Sequence, residues 1–138
     1  MTKITKIINL TQHPATKDQL VAGVIDLPEK QRQDLIRRLT FDELPNDGEV
    51  QQRAATIAGD LHEWLEDAGI ENVDAAMIGG APYLMCPLER YLIGVRIQPI
   101  YAYSERISFE EKQPDGSVRK VNVFRHAGFI RGCYNPHW

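Results

Sequence analysis

AAMIGGAPYLMCPLERYLIGVRIQPIYAY, Ala75 to Tyr103, is the stretch from which the fold is read. Ala75 to Ile78 is a compact apolar run, short enough for a buried strand, and it breaks at Gly79-Gly80. From Pro82 to about Leu92 the apolar residues Leu84, Met85, Leu88, Tyr91 and Leu92 fall near one face of a helix. Arg96 to Tyr103 then reads as a second strand with a proline near its entry. Strand, helix and strand in that order make a crossover between parallel strands, which places a helix against a sheet.

Working outward, the amino-terminal side repeats the unit. Ile4 to Leu10 reads as a strand that stops at Thr11-Gln12-His13 and turns at Pro14. Lys17 to Ala22 fits a short helix, and Val24-Ile25 a short edge strand. Pro28 at a first helical position suits a helix to about Leu39, because its missing N–H would be unpaired there. Thr40 to Glu49 carries turn formers and is a connection. Between Glu49 and Ala68 the apolar positions recur every three or four residues, so a long helix should pack on the sheet. On the carboxy-terminal side, Ile107–Glu111 and Val118–Phe124 flank Gln113-Pro114-Asp115-Gly116, a hairpin signature. The expected fold is α/β and Rossmann-like: a mostly parallel sheet flanked by helices, with a C-terminal antiparallel β-hairpin. Ile7, Ile8, Ile57, Leu61, Leu65, Met77, Ile78, Leu88, Ile100 and Val123 should be core.

The 138 residues suit one domain, residues 1–131, with 132–138 as a tail broken by Gly132, Asn135 and Pro136. Tyr134 and Trp138 in that tail are large enough to dock at a dimer interface. Apolar content of 43% and charged content of 25% are those of a globular chain. No run is long and apolar enough to span a bilayer, and the amino terminus lacks a signal-peptide pattern, so cytoplasmic residence is expected. Net charge is −3, with Lys and Arg in excess only after residue 100. That balance argues against affinity for duplex nucleic acid but leaves room for a small anionic ligand. Cys86 and Cys133 are too few for a disulfide framework.

In open parallel sheets ligands bind beyond the carboxyl ends of the strands, where connections diverge. Three exits qualify: Thr11-Gln12-His13, Gly79-Gly80-Ala81 and Tyr103-Ser104-Glu105-Arg106. Gly79 and Gly80 permit close backbone approach, and the following helix offers N–H groups to an anion. Each feature also has a plain structural reading. The glycines can simply turn the chain, Thr11 can cap a turn, His13 can bond a carbonyl, and Arg106 can pair with Glu105. Their convergence at one end of one sheet is what favours a site. His126, Cys133 and His137 lack a zinc-ligand spacing, so no metal or other cofactor is expected. Cys86, among Leu84, Met85 and Leu88, reads as a buried inert thiol rather than the nucleophile of a Cys-His pair.

The polar exit NLTQH, the segment MIGGAPYLM opening a helix, and PIYAYSER at a later strand resemble the small CRISPR-associated Rossmann-fold (CARF-like) proteins. These include stand-alone ring nucleases, which cleave cyclic oligoadenylate messengers of antiviral defence. The resemblance covers the first strand and residues 75–110. It implies a homodimer that binds a two-fold cyclic nucleotide and cleaves it without a metal. Arg106 would then clamp phosphate and His13 would take the 2′-hydroxyl proton, with Thr11, Gln12, Gly79, Gly80 and Ser104 holding the ligand. No lysine stands at these exits, a departure that bears on catalysis more than on binding. The competing expectation is a non-catalytic accessory protein of a phage or mobile element, whose hairpin and basic carboxy-terminal end bind a protein partner.

Overall fold

The computed structural model describes residues 6–133. The chain runs β1 (Ile7–Leu10), α1 (Lys17–Val21), β2 (Val24–Ile25), α2 (Glu29–Leu39), α3 (Asp47–Asp67), β3 (Ala75–Ile78), α4 (Pro82–Gly94), β4 (Gln98–Lys112) and β5 (Val118–Arg131). One mixed five-stranded sheet results, in the order β2-β1-β3-β4-β5. The first four strands are mutually parallel, and β5 is antiparallel to β4. The α/β class, the mostly parallel sheet and the terminal antiparallel pair are as expected.

Strand order and alternation decide where the helices go. From β1 the chain moves to one side, reaching β2 through α1. It then returns across β1 to β3 through α2 and α3, and continues outward to β4 through α4. With right-handed crossovers, opposite directions of travel put α1 on one face and α2, α3 and α4 on the other. The burial agrees. Ile8, Leu10, Ala76 and Ile78 face the large core, with Leu35 and Leu39 of α2, Ile57, Leu61 and Leu65 of α3, and Leu84 and Leu88 of α4. Ile7, Val24, Ala75, Met77 and Ile100 face the opposite, smaller cluster, against which Ala15 and Phe129 pack.

Local chemistry sets the helix ends. Asn46 accepts from the Glu49 backbone N–H, so α3 starts two residues before the expected Glu49. Pro28 stands just outside α2 as its N-cap rather than as its first residue. Three carbonyls at the end of α2, those of Arg37, Arg38 and Thr40, accept from the Arg53 guanidinium, whose plane also lies over Phe41. Orphan carbonyls at a helix end are thereby satisfied from the neighbouring helix.

Two expectations fail in the carboxy-terminal third. Tyr103 to Arg106 is not a strand exit: β4 continues through it to Lys112 and pairs with β5 along its outer length, with one register shift between Tyr103 and Ser104 where β5 carries an extra residue. Both faces of that ribbon are wet: Ile107 and Phe109 alternate with polar residues, but the face they share is only partly buried. Val123 is 40% exposed for the same reason, although the other nine expected core residues are buried. Cys86 also departs from expectation and is exposed. The division at 131/132 is no break in hydrogen bonding, since Gly132 donates its N–H to Pro99 O at 2.9 Å. Tyr134, His137 and Trp138 lie outside the described residues.

Candidate functional site

A crevice of about 470 Å³ opens at the carboxyl ends of β1 and β3, beside Tyr101 and Ala102 part-way along β4. It sits where the strand order reverses, because the chain leaves β1 toward β2 and leaves β3 toward β4, on opposite sides. Helices then depart to opposite faces and cannot close the gap between these two strand ends. Such a switch point is where open α/β sheets accommodate ligands.

The wall from β1 is built on Asn9, which the sequence reading passed over. Asn9 is 2% exposed and opposes Asp26 across the parallel pair. Its amide donates to His13 O and to Asp26 Oδ1, each at 2.8 Å, while its Oδ1 accepts from Thr11 N at 2.9 Å and Thr11 Oγ1 at 2.7 Å. Both donors and both lone pairs are therefore used, which also sets which way the amide points. Asp26 completes the clamp by accepting from Ala15 N through both oxygens, at 3.0 and 3.2 Å. Four residues of turn, Thr11 to Pro14, are thus held between two side chains at adjacent strand ends. An Asn inside an apolar run and an Asp just after the next strand were the available signals.

The three polar residues at this exit have different roles. The Thr11 hydroxyl is committed to Asn9 and is structural. Gln12 is exposed and reaches Thr40 Oγ1 at 3.4 Å, linking the turn to the end of α2. His13 contributes its carbonyl to the clamp and lines the crevice, while its exposed ring has no partner among the described residues. Thr16 and Gln19, which close a reciprocal capping box at the start of α1, extend the same wall.

The opposite wall is Gly79-Gly80 leading into α4. Gly80 has φ +146°, a backbone region that side-chain-bearing residues avoid, whereas Gly79 has ordinary room beside Thr11. The α4 N-terminus has no side-chain cap, so its first N–H groups are not taken by an Asp, Ser or Thr. Tyr101 and Ala102 of β4 and Met77 of β3 supply the remaining surface. Burial, and after it the hydrogen bond to Glu89 Oε2 at 3.0 Å, pushes the Tyr101 phenol well above its ordinary range and keeps it neutral.

Of the seven expected site residues, Thr11, Gln12, His13, Gly79 and Gly80 line this crevice. Ser104 and Arg106 do not. They follow Ala102 along the same face of β4, which projects past the sheet's carboxyl edge. At roughly 3.3 Å per residue, Arg106 stands about 13 Å beyond Ala102. The crevice lining carries no carboxylate, lysine or arginine, so attraction for an anion within it comes from backbone dipoles and the His13 ring. Cys133 is exposed; its slight burial, and then the Glu89 carboxylate, raise its thiol, which disfavours the thiolate a nucleophile needs.

The chain belongs to the Uncharacterized protein MJ1673 family, whose model matches residues 5–130. No curated protein and no solved structure matches it.

Proposed function

We propose that the crevice binds a small nucleotide, with a Rossmann-like placement of phosphate at the Gly79-Gly80 turn and the uncapped start of α4. The observation carrying this reading is the position of an open crevice at the strand-order reversal, with a hydrogen-bonding turn on one wall and a glycine turn on the other. Backbone N–H groups serve phosphate well because the helix dipole adds to their hydrogen bonds.

The enzymatic form of this reading is a CARF-like, metal-independent ring nuclease acting on cyclic oligoadenylate. A cyclic oligonucleotide is larger than one crevice, so it would extend along β4 toward Ser104 and Arg106 and require a second chain to complete a two-fold site. The ribose 2′-hydroxyl attacks the adjacent phosphorus, forming a P–O2′ bond as the P–O5′ bond breaks, and the leaving 5′-oxygen takes a proton from water to give a 2′,3′-cyclic phosphate and a 5′-hydroxyl. His13, whose ring has no competing partner among the described residues, accepts the 2′ proton, and Arg106, which stands beyond the crevice, clamps another phosphate of the ring. No cofactor enters this chemistry.

Thermal denaturation with a panel of mononucleotides and cyclic oligoadenylates tests the binding. A ligand at about 100 times its dissociation constant adds about 2.7 kcal/mol of stability, a visible shift. With a ring ligand, Arg106→Ala should weaken binding by about tenfold to a hundredfold. A shift caused by a mononucleotide and unaffected by Arg106→Ala confines the ligand to the crevice and removes the ring-nuclease form. No shift with any nucleotide returns the protein to the accessory reading, in which the exposed ribbon binds a partner.

A further inference from the structure

We infer that the outer β4–β5 ribbon is a self-association surface, on which two copies of this chain pack face to face about a two-fold axis parallel to the strands. The inference does not depend on what the crevice binds. Beyond Tyr101, whose hydroxyl bonds Glu89 of α4, β4 is mostly exposed, and the helix that touches β5 is α1, on the opposite side of the sheet from α4. Two strands alone in water are marginally stable, and a ribbon with a hydrophobic face needs a further layer.

Alternation and register sort the ribbon into two unlike faces. Directly opposed residues share a face, so Ile107 lies beside Val123 and Phe109 beside Val121. With Tyr103 nearer the body, these form an apolar stripe in which Phe109 is 46% and Tyr103 52% exposed. The reverse face is more polar, with Ser104 beside His126, Ser108 bonded to Asn122 at 2.6 Å, and Glu110 beside Lys120; its exposed apolar residues, Phe124 and Val118, each stand opposite a cation, Arg106 and Lys112, rather than opposite one another. A solvent-facing role for both sides would not need this separation.

Charge decides the occupant. The part of the stripe formed by Ile107, Phe109, Val121 and Val123 is bounded at each end by an opposed pair, Glu105 with Arg125 and Glu111 with Arg119, and Tyr103 lies beyond the first of these. Both glutamates are on β4 and both arginines on β5. Ion pairs found among the described residues lie on α2 and α3, so these four groups are not closed against one another within one chain. A two-fold axis along the ribbon sets β4 of one copy over β5 of the other. Each glutamate then meets the second copy's arginine from the same pair while the apolar stripes meet between them. An axis across the ribbon would instead set Glu105 over Glu111. Self-complementarity under one two-fold operation is what an isologous interface demands, whereas an unrelated partner imposes no such arrangement.

Sedimentation equilibrium of the whole chain over a concentration series, with charge-reversed variants, tests this. The wild-type chain should dimerise. Glu105→Arg with Glu111→Arg in one variant, and Arg119→Glu with Arg125→Glu in another, should each weaken dimerisation by more than about a hundredfold through like-charge apposition. Mixing the two variants should restore a one-to-one dimer, and circular dichroism of each should match the wild type. Failure of the wild type to dimerise, dimers that tolerate either reversal, or monomeric variants that do not pair on mixing would each overturn the interface.

Discussion

Asn9 and His13 stand four residues apart and do opposite things with their polarity. Asn9 spends every hydrogen-bonding valence on the turn and on Asp26, and His13 leaves its ring without a partner among the described residues. Asn9→Ala should therefore cost about 1–3 kcal/mol in chemical denaturation, because the Thr11 N–H and the Asp26 carboxylate lose a partner in a poorly hydrated place. His13→Ala removes a ring with no partner and should leave the denaturation midpoint unchanged. If the crevice hydrolyses its ligand, the same substitution should lower turnover by about a hundredfold or more while sparing most of the binding. Wild-type turnover in His13→Ala would end its catalytic role. Tyr101 gives a pH signature. Its phenol titrates higher in the folded protein than in the unfolded chain. The stability this represents is present below the ordinary tyrosine pKa of about 10 and is lost as pH rises beyond it. Tyr101→Phe should flatten that alkaline fall in melting temperature.

Elements contribute through the faces they bury. Leu61 of α3 is fully buried against the sheet, so Leu61→Ala should cost about 2–5 kcal/mol through lost transfer energy and the cavity left behind. An unchanged melting temperature would mean that α3 does not pack as described. The glycine turn offers a sharper contrast. Gly80→Ala forces a Cβ into a φ of +146° and should cost about 1–3 kcal/mol, while Gly79→Ala meets only ordinary contacts and should be nearly neutral for folding. Gly79→Ala becomes informative for function: if phosphate approaches the backbone at this turn, it should weaken binding without weakening the fold.

For the molecule as a whole, the ribbon and the body are energetically separate. The buried residues of β4 are Gln98, Pro99 and Ile100, and the strand is increasingly exposed beyond them. Replacing Ser104–His126 by a two-residue Asn-Gly turn should leave the melting temperature of the body within a few degrees of the full chain. Ready unfolding of that shortened chain would show that the ribbon supports the core. Among the described residues no helix is long and apolar enough to cross a membrane.

Much of this architecture was legible because short-range physics dictated it. Ala75-Ala76-Met77-Ile78 is a strand of those four residues because an apolar run bounded by turn formers has no other way to be buried. The α3 stripe, the Gly79-Gly80 break and the Asp115-Gly116 turn follow from periodicity and backbone sterics alone. The continuity of β4 through Ser104 to Arg106 was not legible, since those three residues are polar and exposed and are held in the strand by its partner's hydrogen bonds. Nor was the Asn9–Asp26 clamp, whose members meet only once β1 and β2 pair in register across 17 residues. The sequence by itself determined the elements, the core residues of the body and the polar character of the strand exits. Only the tertiary structure decided that five of those exit residues share one crevice and that Arg106 stands beyond it, because strand order and register are set by long-range pairing that no local pattern records.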